Sequence, residues 1–158
     1  LSRHDEGVSV NVGLISGGTS VNTIAPSARA EIDLRISTDE QGVDLNKTII
    51  DICEKNVVEG IKLKVTGGIN RPPMMKTEES TKLVDLIKSE ASKIGLKIDD
   101  VFTGGGSDAS FTAGMGIPTV DGLGPVGGHQ HSDKEYLDID TLPERTLLFA
   151  NVIKKLSE

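Results

Sequence analysis

Residues 28–37 alternate strictly between apolar and polar side chains, and this period of two constrains the fold more than any other feature of the chain. One face would carry Ala28, Ala30, Ile32, Leu34 and Ile36, and the opposite face Arg29, Glu31, Asp33, Arg35 and Ser37. Such a pattern predicts a half-buried antiparallel strand whose charged face is in water. Residues 8–15 alternate less strictly and predict a neighbouring strand, with a turn at Gly17-Gly18 between the two.

A helix and a third strand are predicted to follow. Apolar residues recur at mostly helical spacing over residues 40–58, and residues 61–65 return to alternation. The helical set is Val43, Ile49, Ile50, Ile52 and Val57, and the alternating set is Ile61, Leu63 and Val65. Two neighbouring strands, a helix and a strand form a small α+β sandwich in which the helix covers one face of the sheet.

The sequence changes character at a cluster of glycine and proline residues. Gly67-Gly68 and Arg71-Pro72-Pro73 interrupt the pattern, and the two prolines cannot donate hydrogen bonds to a sheet. We therefore predict a boundary between two domains, residues 1–73 and 74–158. Beyond the boundary, helical and strand patterns alternate, which predicts an α/β arrangement with some parallel pairing.

The second half is predicted to contain three helices and two strands. A capping box of Thr141 and Glu144 is expected to start the last helix. The predicted helices cover residues 77–94, a short stretch after residue 108, and 142–156, and the predicted strands cover 97–102 and 118–121. Because a two-stranded sheet is marginal by itself, the chain is expected to be a piece of a longer protein.

Composition argues against several classes of partner. The formal net charge is −7 with acidic and basic residues intermixed, so no basic stripe is present and neither nucleic acid nor an anionic membrane is an expected partner. No apolar run approaches the ~18 residues of a membrane-spanning helix, and no charged segment precedes an apolar one at the start. The single cysteine, Cys53, lies in an apolar helical pattern, which predicts a buried structural thiol. A cytoplasmic location is the default prediction.

A glycine-rich segment late in the chain carries the strongest functional signal. His129 and His131 follow two glycines and are accompanied by Asp133 and Glu135. Histidine is the commonest metal ligand, and carboxylates often orient a metal-bound imidazole. If the segment is extended, both histidines point to the same side, although two ligands do not complete a zinc site. The alternative is a pair of surface histidines in a polar loop.

Asn22 and Arg35 form a second candidate site. Arg35 lies on the polar face of the predicted strand, where a guanidinium can bind a substrate carboxylate through two hydrogen bonds. The alternative is a solvated charge or an ion pair with Asp33 or Glu31. Both interpretations stay open from the residues alone.

Two other features are weaker candidates. The glycine-rich loops at residues 17–23 and 104–110 lack the lysine of a Walker loop, so a nucleotide site is not predicted. His4, near the start of the chain, is expected to be solvated.

Taken together, these motifs resemble the aminoacylase / glutamate carboxypeptidase family of di-zinc metallopeptidases, which includes acetylornithine deacetylase and succinyl-diaminopimelate desuccinylase. The segment SVNVGLISGGTSVNTIAPSARAEIDLR resembles the core of the small dimerisation (lid) domain that these enzymes insert into an α/β catalytic domain. The segment GGGSDASFTAGMGIPTVDGLGPVGGHQHSDKEYLDIDTL resembles the closing part of the catalytic domain. The segments occur in the family's order, and the closest resemblance is to the glutamate carboxypeptidase-like branch.

The resemblance implies a fold that is α/β and α+β. Residues 1–73 would form part of the lid domain, a small antiparallel sheet with a helix. Residues 74–158 would form the C-terminal segment of the α/β zinc-peptidase catalytic domain.

The resemblance also implies a role for each matching residue. His131 matches a metal ligand, and Asn22 and Arg35 match lid residues that contact the substrate and its carboxylate. The loop Gly105-Gly106-Ser107-Asp108 matches the lining of the substrate pocket. No catalytic residue is assigned, because the family's general base and its other metal ligands precede the lid domain and do not occur in this chain.

The function implied by the resemblance belongs to the intact parent protein. That protein is expected to be a homodimer that uses two zinc ions, with cobalt or manganese as alternatives, to hydrolyse the amide bond of an N-acyl amino acid or small peptide. With one metal ligand out of about five, the 158-residue chain alone is expected to be inactive and to hold no di-metal centre. The alternative is a non-catalytic dimerisation or binding module derived from the family.

Overall fold

The computed structural model describes residues 1–55 and 58–158. The chain divides into two compact units, Leu1–Met75 and Lys76–Glu158, and the division falls just after the segment rich in glycine and proline. Helices and small antiparallel sheets make up both units, which confirms the predicted mixed fold. In the described part of the chain, no helix is long and apolar enough to cross a membrane.

In the first unit, the two predicted strands form an antiparallel pair. Strand β1 (Ser9–Gly17) pairs with β2 (Ala28–Arg35) along its length, and the register shifts once, between Val12 and Leu14. Gly18 follows β1 with a φ of 77°, a conformation that glycine adopts without a steric penalty. The alternation therefore predicted both strands and their order correctly.

The predicted burial of one face of β2 is wrong. Of its eight residues, all of them described, only Leu34 is half-buried, and Ile32 is 44% exposed. The predicted third strand over residues 61–65 does not form, so the sheet has only two strands in the described chain. A sheet this narrow has little area with which to bury a face. Cys53, predicted to be buried, is only partly so.

Helix α1 (Asp39–Glu54) begins at a capping box that the sequence analysis did not identify. The Gln41 N–H donates to Thr38 Oγ1 at 3.3 Å, and the Thr38 N–H donates to Gln41 Oε1 at 3.1 Å. These bonds satisfy backbone donors at the start of the helix that would otherwise be unpaired. The helix ends four residues before the predicted end at residue 58, and Val57 lies outside the described residues.

In the second unit, two long helices pack against each other. Helix α2 (Glu78–Lys93) starts at a capping box in which the Ser80 N–H donates to Thr77 Oγ1 at 3.1 Å and the Thr77 N–H donates to Ser80 Oγ at 2.8 Å. This helix matches the prediction for residues 77–94. Its partner is the last helix, Leu142–Leu156. The buried core of the unit consists of Ile87, Ala91, Leu148 and Val152.

The capping box predicted at the start of the last helix does not form. Thr141 belongs to a 3₁₀ turn, Ile139–Thr141, and its side chain caps no helix N–H. Its hydroxyl donates to the Asp138 carbonyl at 2.7 Å and accepts from the Val126 N–H at 2.9 Å. The hydroxyl is therefore already engaged by residues outside the helix.

Neither predicted strand of the second half forms. Residues 97–102 and 118–121 have no strand structure, and the pairing present is between two-residue strands at Gly127–Gly128 and Tyr136–Leu137. This pairing is antiparallel, so the predicted parallel pairing is wrong for the described residues. Residues in and next to these segments still contribute side chains that pack against the helical core: Leu96, Ile98, Val120 and Leu123.

One acidic side chain ties the segment after α2 to that helix. Asp100 accepts hydrogen bonds from Lys76 Nζ through Oδ2 and from Lys88 Nζ through Oδ1, both at 2.6 Å. The hydrogen bonds from the two ammonium groups hold the pKa of Asp100 well below its usual range, and the bond from Lys76 has the largest effect. The hydrogen bond to Asp100 in turn raises the pKa of Lys88.

Replacing Asp100 with asparagine is expected to lower the melting temperature at neutral pH by on the order of 2 °C, because water screens exposed ion pairs. A carboxylate whose pKa falls on folding stabilises the folded chain above its unfolded pKa of about 3.9, and this contribution is lost as the pH falls through the folded pKa. The difference from wild type, followed by circular dichroism, should therefore shrink between about pH 4 and about pH 2. Asp99→Asn is the control, since Asp99 makes no salt bridge in the described chain. Equal, pH-independent effects of both variants would contradict this prediction.

Candidate functional site

The histidine predicted to bind metal lies in a hairpin turn of the second unit. We number the two short strands β3 (Gly127–Gly128) and β4 (Tyr136–Leu137), so residues 129–135 form the connection between them. The Asp138 N–H donates to the Val126 carbonyl at 2.8 Å and closes the base of the hairpin. The side chains at the tip of the turn are exposed.

Both glycines of β3 are required by the close approach of β4. A Cβ on Gly127 would lie 2.6 Å from the Tyr136 carbonyl oxygen, and a Cβ on Gly128 would lie 2.8 Å from Tyr136 Cε1. The centroid of the Tyr136 ring also lies 6.0 Å from that of His129, with the rings tilted by 55°. These two glycines make room for a tyrosine of the same hairpin.

His129 and His131 both have a left-handed backbone, with φ angles of 57° and 65°. These angles exclude the extended conformation in which both imidazoles would face the same side. The left-handed conformation costs a residue other than glycine on the order of 1–2 kcal/mol. Neighbouring contacts must therefore hold these residues, and strained positions of this kind concentrate at functional sites.

Ser132 and Glu135 supply the contacts that hold the turn. The N–H and the hydroxyl of Ser132 both donate to the His129 carbonyl, at 3.2 and 2.7 Å, and Glu135 Oε2 accepts from the His131 N–H at 3.2 Å. Ser132 Oγ also accepts from the Lys134 N–H, and the Glu135 N–H donates to the Ser132 carbonyl, each at 3.2 Å. The His129 carbonyl and the His131 N–H are therefore both hydrogen-bonded within the turn.

The described residues of the turn do not form a metal centre. The imidazole of His131 is exposed and makes no hydrogen bond to any described residue, so it suits a ligand. No three His, Cys, Asp or Glu side chains in the described chain come together where they could hold a metal ion. A zinc centre takes three or four protein ligands, so these residues by themselves do not fit the two-metal site that the resemblance implies.

The glycine-rich loop at residues 105–108 precedes the short helix predicted after residue 108. That helix, α3 (Ala109–Gly114), begins where Ser107 Oγ accepts from the Ala109 N–H and the Ser107 carbonyl accepts from the Ser110 N–H, both at 3.1 Å. Asp108 is the residue before the helix. Ser107 is therefore already used by the backbone of α3.

The glycines of this loop are exposed, unlike those of the hairpin. The nearest atom to a Cβ built on Gly105 is Thr103 Oγ1 at 3.7 Å, which is an ordinary contact distance. Packing within the described chain therefore does not require glycine at this position. Gly106 is also exposed.

Asn22 and Arg35 belong to the first unit, whereas the loop and the hairpin belong to the second. Arg35 Nε lies 3.1 Å from Asp33 Oδ2, and the two side chains are 55% and 59% exposed. This is one of the alternatives that the sequence left open. Asn22 Oδ1 accepts from the Ser20 hydroxyl at 2.5 Å in the exposed connection between the strands of that unit. His4 is exposed in a 3₁₀ turn, as expected.

Comparison with known proteins identifies the class of the chain. The model of Peptidase family M20/M25/M40 matches residues 2–155, nearly the whole chain. The chain therefore belongs to this peptidase family, which confirms the resemblance found in the sequence.

Individual relatives agree with this assignment. Carboxypeptidase G2 of Pseudomonas sp. (strain RS-16) is 32% identical over 146 residues, which cover 90% of this chain and 35% of the relative. Succinyl-diaminopimelate desuccinylase of Pseudomonas fluorescens (strain Pf0-1) is 30% identical over 146 residues, covering 90% and 36%. The crystal structure of a tripeptidase from Staphylococcus aureus matches with a TM-score of 0.81 at 26% identity and covers 98% of this chain and 41% of that one. The chain thus spans little more than a third of the length of these two curated relatives.

Glycine at position 131 is expected to give a more stable chain than alanine. Both substitutions remove the imidazole, but only glycine adopts a φ of 65° without steric cost. Urea unfolding of His131→Gly should give a free energy of unfolding about 0.5–1 kcal/mol above that of His131→Ala, after the larger unfolded-state entropy of glycine is subtracted. At His4, in a right-handed 3₁₀ turn, alanine should be the more stable substitution. If alanine is the more stable substitution at position 131 as well, the turn is not strained.

Proposed function

We propose that the protein to which this chain belongs is a metal-dependent hydrolase of the carboxypeptidase or deacylase type, which cleaves the amide bond of an N-acyl amino acid or a small peptide. The observation that carries this proposal is the family match over residues 2–155. The names of the relatives, a carboxypeptidase, a desuccinylase and a tripeptidase, support the same bond type.

Zinc is the metal that we propose, with cobalt or manganese as alternatives and His131 as one ligand. The exposed imidazole on a strained backbone supports this role. The described residues contain no complete metal centre, and the chain spans little more than a third of those relatives. We therefore infer that the other ligands and the general base belong to sequence outside these 158 residues, and that the chain by itself is inactive.

Substrate contacts are proposed at Asn22, at Arg35 and along the loop formed by Gly105, Gly106, Ser107 and Asp108. Support for Arg35 comes from its partner, since an exposed ion pair with Asp33 is weak and does not prevent exchange for a substrate carboxylate. Support for the loop comes from the open space at Gly105, where glycine is not needed for packing.

We also propose that residues 1–73 are part of a lid domain and that residues 74–158 are the C-terminal segment of the catalytic domain. The protein is proposed to be a homodimer and to be located in the cytoplasm. The β1–β2 pair supports dimerisation, because no third strand pairs with its outer edges in the described chain and Leu14 and Ile15 are 63% and 77% exposed. Unpaired strand edges and exposed aliphatic side chains favour association with a second copy. Light scattering measures this association directly.

A non-catalytic binding module is the second candidate, and the incomplete metal centre of the described residues is the observation that favours it. The gene product as the cell makes it separates the two. It is expected to contain zinc and to hydrolyse dipeptides or N-acyl amino acids, and His131→Ala should lower kcat/KM by on the order of 100-fold or more. His129→Gln is the matched control and should keep most activity.

The outcomes of this experiment are distinct. A metal-free gene product without turnover would establish the binding module. Turnover by the separate 158-residue chain with added zinc or cobalt, abolished by His131→Ala, would contradict its proposed inactivity.

Arg35→Ala in the same gene product is expected to remove a charge-assisted contact to the substrate carboxylate, which is on the order of 2–4 kcal/mol in a desolvated site. The corresponding loss in kcat/KM is roughly 30- to 1000-fold, and lysine should restore only part of it because a point charge lacks the planar fork. The melting temperature should hardly change, since the side chain is exposed. Arg29→Ala is the matched control, because Arg29 forms a similar exposed pair with Glu31 at 3.2 Å. Equal kinetics of the two variants would leave Arg35 with a surface ion pair as its only role.

A further inference from the structure

We propose that Glu135 is a positioning residue for His131, because its carboxylate holds the left-handed backbone from which the imidazole projects. Glu135 Oε2 accepts from the His131 N–H at 3.2 Å, and the φ of His131 is 65°. The inference rests on the proposed function, in which His131 is a metal ligand, and adds the residue that determines where this ligand is presented.

The geometry of the turn explains how a side chain at 135 controls the backbone at 131. Rotation about φ of His131 moves every later residue of the turn relative to the His131 N–H. Returning φ to its usual negative value would therefore carry Glu135 away from the N–H and break the bond. A hydrogen bond that spans the strained residue in this way exists only while the strained conformation exists, so it stabilises that conformation selectively.

Glu135 is itself fixed, which is why its carboxylate can act as an anchor. Its N–H donates to the Ser132 carbonyl at 3.2 Å, and the next residue, Tyr136, pairs with Gly128 in the hairpin. The Tyr136 ring fills the space beside Gly128 and fixes the start of β4. The backbone that carries the acceptor for the His131 N–H is thus attached both to β4 and to Ser132.

Other polar residues of the turn do not duplicate this contact. Ser132 bonds to the carbonyl of His129, on the opposite side of His131. Asp133 makes no hydrogen bond among the described residues, although it carries the same charge as Glu135 and lies in the same turn. The hydrogen bond that Glu135 accepts is therefore the contact specific to the His131 N–H, and a substitution of Asp133 is the matched control.

The experiment compares Glu135→Ala, Glu135→Gln and Glu135→Asp in the metal-free 158-residue chain, with Asp133→Ala as control. Glutamine keeps an acceptor oxygen at the same reach and loses the charge, whereas aspartate keeps the charge and is one methylene too short. Nuclear magnetic resonance reports the sign of φ at residue 131 through the intraresidue NOE between the amide and α protons, and it reports protection through amide exchange. Alanine and aspartate should lose the left-handed signature and raise amide exchange at His131 by about tenfold, while glutamine and the control should stay close to wild type.

Zinc affinity of the gene product tests the consequence for the metal. Partners that orient a metal ligand typically contribute 10- to 100-fold to affinity, so Glu135→Ala should weaken zinc binding by about 10-fold or more, and Glu135→Gln should restore most of it. Activity is not needed for this measurement.

The positioning role of Glu135 and the metal role of His131 can be contradicted independently. An unchanged φ and unchanged exchange at His131 in Glu135→Ala would overturn the positioning role, and so would rescue by aspartate without rescue by glutamine. If His131→Ala leaves zinc affinity unchanged, the proposed metal role of His131 is wrong. In that case a φ that still depends on residue 135 identifies Glu135 as a turn-stabilising residue only, which also overturns the proposal.

Discussion

The packing of α2 against α4 (Leu142–Leu156) is the interaction on which the second unit depends. The only described hydrophobic residues of this unit that are buried lie on these two helices: Ile87, Ala91, Leu148 and Val152. A helix satisfies its own backbone hydrogen bonds and is free to use its side chains for packing. The segments between the helices have little regular structure besides α3 and the short hairpin, and they attach to the pair through half-buried side chains and through Thr141, whose hydroxyl accepts from the Val126 N–H. The candidate site is therefore carried by exposed loops on a frame of two helices.

Backbone pairing explains which elements the sequence could predict. The first and second long helices and the β1–β2 pair follow from local signals, since helical periodicity and alternation lie within each element. Alternation also predicted strands over residues 61–65, 97–102 and 118–121, and none of these forms. A strand needs a neighbour to pair its N–H and C=O groups, and the described chain supplies none to these segments. The capping box at Thr141 failed for a similar reason, because its hydroxyl is bonded to a backbone N–H fifteen residues earlier.

In the candidate site too, features set by neighbouring residues in the sequence were predictable, and features set by distant contacts were not. The composition of the turn made His131 a candidate metal ligand, and this stays a prediction. The alternation of β2 was enough to place Arg35 beside Asp33, where the ion pair is found. The conformation of the turn was not predictable, because His129 and His131 are left-handed only when the hairpin closes. The role of the two glycines before the turn also depends on closure, since it is Tyr136 that occupies the space where their side chains would be.

The strain in this turn is the physical basis of the proposal that His131 has a chemical role. Two residues other than glycine in the left-handed conformation cost together on the order of 2–4 kcal/mol, which is a considerable part of a typical folding stability of about 5–15 kcal/mol. Glycine would remove this cost at position 131, where the side chain is exposed and contributes no buried area. The stability of the fold therefore gives no reason for an imidazole at this position. If His131 binds a metal as proposed, the hydrogen bond that Glu135 accepts from the His131 N–H offsets part of this cost before the metal is present, so the backbone does not have to be ordered at the moment of binding. A ligand side chain that is oriented in advance binds with a smaller loss of conformational entropy, and this advantage is a reason for a histidine to occupy a position that its backbone disfavours.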